Sequence, residues 1–210
     1  ITYLDEHVKA LSYIVGIGHA SNRSEEALEA IEESIDSGRK LVEGEPDNPS
    51  RRQLLGASLT NGAAVADALG RNEDAARYAR EAAAVYEEFA AQFPTDLELQ
   101  ISYSNALLEA GDAARELREF EEAVRFFQDA EAVLQRLHDS TGGEDIRLPV
   151  RLSDLHAKLA HLYEDRNEFA LMLEVCERGI ALLQDLIAMH PEAPYHREAL
   201  IRRMSDRAEA

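Results

Sequence analysis

Four short stretches recur along the chain at nearly constant spacing: SEEALEAI around Ala27, NEDAARYA around Ala75, FEEAVRFF around Ala123 and EFALMLEV around Met172. The steps between the central residues are 48, 48 and 49. A period of this size, with an apolar helical stripe inside each copy, belongs to repeat arrays whose units bury their apolar faces only by stacking on one another. The fold open to such a chain is therefore an all-helical solenoid.

Chain breakers share the period. Pro46 and Pro94 lie 48 residues apart, Pro191 lies 97 further on, and Gly142 and Gly143 occupy the place of the missing intermediate proline. Proline lacks the amide donor and disfavours helix at the residue before it, so these points are joints. Between them the periodicity predicts helix pairs over about 5–20 and 24–43, 50–69 and 72–92, 96–117 and 119–138, and 150–165 and 167–189, with a ninth helix over about 195–209. Asn22, Gly70 and Asn167 stand at the turns inside the pairs, where left-handed backbone is needed. Arg118 takes that place in the third pair, which predicts a tighter or helically continuous turn.

The 41 acidic and 22 basic residues leave a formal charge of −19. A field of that sign repels phosphate, which argues against nucleic acid and anionic membrane as partners and favours basic protein surfaces. Cys176 is the single cysteine, so no intrachain disulfide or cysteine metal cluster can form, which fits a reducing cytoplasmic compartment. The most apolar stretch, LSYIVGIG, is far short of a membrane span. The start ITYLDEH has no initiator Met or signal-peptide pattern and reads as an internal piece of a larger protein.

The repeat resembles the tetratricopeptide family in a long form. The third copy places Leu107, Ala110, Gly111, Ala114, Phe120, Ala123, Phe127 and Ala130 at the family's signature spacings, and the second supplies Leu59, Ala63, Ala66, Gly70, Ala75 and Ala82. The outer copies match less closely, through Leu11, Ile14, Ala27, Ile31 and Ser34 in the first and Leu159, Ala160, Tyr163, Phe169, Cys176 and Gly179 in the fourth. In the fourth, His156 replaces a large apolar residue and Met172 a small one, a change that bears on how closely its two helices approach. The resemblance implies a right-handed α-solenoid of four antiparallel hairpins, at about 5–46, 47–94, 95–143 and 148–191, closed by a terminal helix at 194–210 within one domain. The usual unit has about 34 residues; about fourteen more is close to four helical turns, which lengthens each hairpin and returns the apolar stripe to the same face.

The long second helices ending near proline (AAAVYEEFAAQFPTD, GIALLQDLIAMHPEAP), with the lead-ins PSRRQLL and PYHREAL, also resemble repeats found C-terminal to bacterial serine/threonine kinases and other signalling proteins. Nothing in the chain itself is kinase-like, because it has neither a glycine-rich phosphate loop nor a catalytic-loop motif.

No pattern points to catalysis, a metal or a cofactor. Of the seven histidines, His156 and His161 are the close pair on one helix, yet they lie about 140° apart around its axis and cannot share a metal from one face. Ser153, Asp154 and His156 are adjacent in sequence, whereas catalytic triads are assembled in space. Cys176 falls on a buried helix side, where a thiol packs as a small hydrophobe.

What remains is the surface that the resemblance assigns to partner binding, the concave face lined by the first helix of each hairpin. The positions facing it are Asp67, Asn105, Leu108, Asp112, Arg115, Glu116, Asp154, Ala157, His161, Glu164 and Asp165, a mainly acidic set suited to a basic peptide. Arg115 is expected to orient a carboxylate and His161 to add sensitivity to pH near neutrality. Some members grip a peptide's terminal carboxylate with Lys, Asn and Arg; only Asn61 matches here, so that activity is not implied. The expected function is a non-enzymatic interaction scaffold serving a larger signalling protein. The alternatives are an architectural module that self-associates through its array ends and, more distantly, a peptide or small-molecule sensor.

Overall fold

The computed structural model describes residues 24–190 and, beyond them, Leu200, Ile201 and Met204. Among the described residues there are seven complete helices and no strand: α1 Ser24–Gly44, α2 Pro49–Ala68, α3 Asn72–Gln92, α4 Leu97–Glu116, α5 Phe120–Ser140, α6 Arg147–Asp165 and α7 Phe169–Met189. The expected helix over 5–20 lies outside the described residues. So does most of the expected terminal helix, of which Leu200, Ile201 and Met204 are each helical.

Residue contacts divide the chain into two compact units, Ile1–Glu119 and Phe120–Ala210. The first holds α1–α4 and the second α5–α7. In the first, α1 packs on α2, α2 on α3 and α3 on α4, with α2 also touching α4. In the second, α6 packs against both α5 and α7. The boundary falls on the turn inside the copy whose sequence matches the repeat signature best.

Among the described residues the three turns inside pairs share one device, while the expected turn at Asn22 lies outside them. The α2 end has Gly70 N donating to Asp67 O at 2.8 Å and Arg71 N to Ala66 O at 2.8 Å, with Gly70 at φ 69°. Arg118 at φ 61° and Asn167 at φ 58° repeat this, through Glu119 N to Ala114 O and Glu168 N to Tyr163 O, both 2.8 Å. This pair of bonds satisfies helix-end carbonyls and requires one left-handed residue. Arg118 therefore does not give the tighter or continuous turn its identity suggests: the hydrogen-bond pattern outweighs the roughly 1–2 kcal/mol that a side chain costs in that conformation.

Capping residues open the helices after the joints with the period of the repeat. The Asn48 side chain accepts from Ser50 N, that of Asp96 from Leu99 N, and that of Asp145 from Arg147 N. Such caps hold otherwise orphaned helix-start amides. The start of α6 is at Arg147, three residues before its expected position.

Many of the signature positions lie in the core. Leu59, Ala66, Ala79, Ala82, Ala114, Ala123, Phe127 and Ala130 are fully buried. Ile31 is also fully buried, and Ser34 joins Ser58 in a buried hydroxyl pair at 2.7 Å. Phe169 departs from its expected packing role, being 48% exposed. Two glycines mark close helix approaches: a Cβ at Gly56 would meet the Tyr86 ring at 2.6 Å, and one at Gly179 would meet His156 Cβ at 3.3 Å and Ser153 Oγ at 3.4 Å. Met172 is buried, and the small residue that lets α7 approach α6 is Gly179, about two turns along.

Candidate functional site

In the first unit α2 and α4 both pack on α3 and are joined to it by short connections, so they run parallel and bring their C-terminal ends to the same end of the unit. Asp67 is exposed in the last turn of α2. Asp112 and Arg115 are half-buried near the end of α4, Glu116 is exposed, and Arg115 Nη2 donates to Glu116 Oε1 at 2.6 Å. One partner of Arg115 is thus its own neighbour. Asn105 is half-buried midway along α4, whereas Leu108 is buried.

In the second unit the candidate residues lie along α6. Asp154, His161, Glu164 and Asp165 are exposed, and His161 Nδ1 lies 3.6 Å from Glu164. Ala157 is buried. With Leu108 also buried, neither expected apolar contact offers much surface to a partner.

Asp67, Glu116, Glu164 and Asp165 stand at the unfavourable end of their helices, whereas Asp154 lies in the N-terminal half of α6. A helix C-terminus carries partial negative charge, so carboxylates there are destabilising while those in the first turn are favoured. The helices α3 and α5 follow the favourable rule, with Glu73 and Asp74, and Glu121 and Glu122, in their first turns. By contrast, α2 and α6 have no acid in the first turn and no base in the last. The Asp74 carboxyl is held below the usual carboxylate range chiefly by its hydrogen bond from Arg77, then by Arg71.

Several polar contacts are not legible in a one-dimensional pattern. Arg51 is buried and reaches Glu45, while Arg52 donates to Pro46 O at 2.6 Å and pairs with Glu88 at 2.8 Å. The paired arginines of the PSRRQLL lead-in therefore hold a joint together. Gln100 does the same for the next, its buried amide donating to Ala90 O and Phe93 O.

In the second unit Glu131 of α5 accepts from His156 Nε2 of α6 at 3.0 Å and pairs with Arg178 of α7. These bonds, His156 first and Arg178 after it, hold the Glu131 carboxyl below the usual range against the opposing effect of burial. The only advance signal was a histidine in an apolar slot. Ser153 Oγ and His156 Nδ1 are buried without a hydrogen-bond partner among the described residues, and Asp154 is exposed, so the three do not form a catalytic relay.

Among the described residues no group of three or more His, Cys, Asp or Glu is placed to hold a metal, and no helix is long and apolar enough to cross a membrane.

No family model and no curated protein matches the sequence. Solved structures do match. BtubC (BKLC) from P. vanneervenii is 17% identical with a TM-score of 0.64, over 96% of this chain and 80% of that one. A putative kinesin light chain with nearly identical TPR-like repeats from Podosopora anserina is 18% identical with a TM-score of 0.65, over 96% of this chain and 87% of that one. At such identities the likeness is one of fold. The chain has the fold of the TPR-like helical repeats.

Proposed function

We propose that the chain is a non-catalytic protein-interaction scaffold, a partner-recruiting region of a larger bacterial signalling protein in the cytoplasm, and that it binds a basic peptide or protein segment. The TPR-like fold supports the general role, and the 48-residue period with its proline-ended second helices supports the signalling context. The observation that carries the choice of partner is the placement of Asp67, Glu116, Glu164 and Asp165 in the last turns of α2, α4 and α6. On α2 and α6, whose last turns hold no base, such a carboxylate costs about 0.3–1 kcal/mol against the helix dipole, a cost that a bound cationic partner offsets; Glu116 of α4 already has Arg115 beside it.

The test is fluorescence anisotropy with a labelled Lys/Arg-rich peptide and an acidic control. Exposed ion pairs contribute only about 0–1 kcal/mol each, so the expected binding is modest and salt-sensitive. Glu116→Lys and Asp165→Lys weaken it. Binding that ignores both reversals and shows a flat salt response places the functional surface elsewhere.

One observation favours the architectural reading. Phe169, Leu171 and Leu173 are exposed at the start of α7, where the matching α3 positions are Asn72, Asp74 and the buried Ala76. Exposed apolar clusters of this kind are a route to self-association.

A further inference from the structure

At the joint between α1 and α2 the first unit contains a recess of about 100 Å³, lined by Asp47, Pro49, Arg52, Glu88, Phe89, Gln92 and Phe93. We propose that this recess binds one lysine or arginine side chain of a basic peptide. The proposal shares with the preceding section the reading that the partner is basic, but it rests on different residues at the opposite end of the α2–α3 pair.

The walls match such an occupant part by part. Phe93 is 42% exposed and meets Phe89 edge-on, with ring centroids 5.1 Å apart and planes at 73°. A ring so held, with Pro49 beside it, offers an apolar bed for an aliphatic stem and a cation–π surface for its head. The charge balance also favours a cation. Arg52 is engaged with Pro46 O and Glu88, which leaves the exposed Asp47 as the carboxylate of the lining outside that ion pair. The recess lies between the C-terminal end of α3 and the N-terminal end of α2, whose opposite partial charges offset one another, so the preference for a cation rests on Asp47 and the Phe93 ring. The volume suits one side chain rather than a packed helix, which makes the recess an anchor for an extended segment.

The probes are N-acetyl-lysine amide and N-acetyl-arginine amide, titrated into the ¹⁵N-labelled full chain, with N-acetyl-norleucine amide as the uncharged match for lysine. The expected result is saturable shifts at Gln92 and Phe93 for the two cations and none for norleucine. Asp47→Asn and Phe93→Ala, both at exposed positions, should each weaken binding about threefold or more, with unchanged circular dichroism showing that the fold is intact. Glu116→Lys should leave this binding unchanged, which separates failure here from failure at the helix ends. Absence of a saturable shift, equal binding of norleucine and lysine, or indifference to both recess variants overturns the proposal.

Discussion

His156 on α6 donates its Nε2 proton to the Glu131 carboxylate on α5 across 3.0 Å, with the ring itself buried. Arg178 of α7 pairs with the same carboxylate, so one acidic group ties α5, α6 and α7 together. Removing a hydrogen-bonded partner from a buried polar group costs about 1–3 kcal/mol, and Glu131→Ala is expected to fall in that range.

Glu131 also predicts a pH dependence. Its folded-state pKa lies below the ordinary value of 4.5, so the folded state favours the ionised form. The associated stability is present above the unfolded pKa and is lost as pH falls through the folded one. Melting curves of the wild type and Glu131→Gln should therefore be well separated at neutral pH and converge in acid. A separation that persists unchanged at the lowest accessible pH shows that the carboxylate charge is not what stabilises the contact.

Gly56 and Tyr86 make a second coupled pair. A methyl group at Gly56 would sit 2.6 Å from the Tyr86 ring, so Gly56→Ala is expected to destabilise by about 1–3 kcal/mol despite the better helix propensity of alanine. Burial pushes the Tyr86 hydroxyl up to about 12 from its usual 10. The neutral phenol is the form the fold accommodates; stability is therefore full below pH 10 and falls between 10 and 12. Tyr86→Phe should flatten that alkaline loss in denaturant melts recorded across the window.

Ala123 is fully buried, whereas Gln128 on the same helix is exposed. Overpacking by Ala123→Leu should cost about 1–3 kcal/mol, or about 2–4 °C of melting temperature per kcal/mol, while Gln128→Leu leaves melting nearly unchanged. Equal melting of the two variants would contradict the repeat register.

The apolar start of α7 is checked by light scattering. If Phe169, Leu171 and Leu173 join copies of the chain, Leu171→Glu combined with Leu173→Glu yields monomers from a concentration-dependent oligomer. A wild-type chain that stays monomeric at high concentration removes the architectural reading.

The sequence by itself determined the helical repeat, because period, breakers and small residues act locally: Gly70 with its left-handed backbone, the proline joints and the burial of Ala75 and Ala82 follow from residue type and spacing. Tertiary structure decided what depends on partners distant in the chain. Arg118 adopts the left-handed turn because Glu119 N and Ala114 O must meet there. Gly179, not the Met172 position, admits the close approach to His156, since helix contact depends on which turns face each other. Leu108 and Ala157, expected beside a partner, are buried, because a repeat pattern places a residue on a helix face but not its depth beneath the neighbouring helices. The Glu131, His156 and Arg178 node joins residues 25 and 47 positions apart, a coincidence in space that only packing creates.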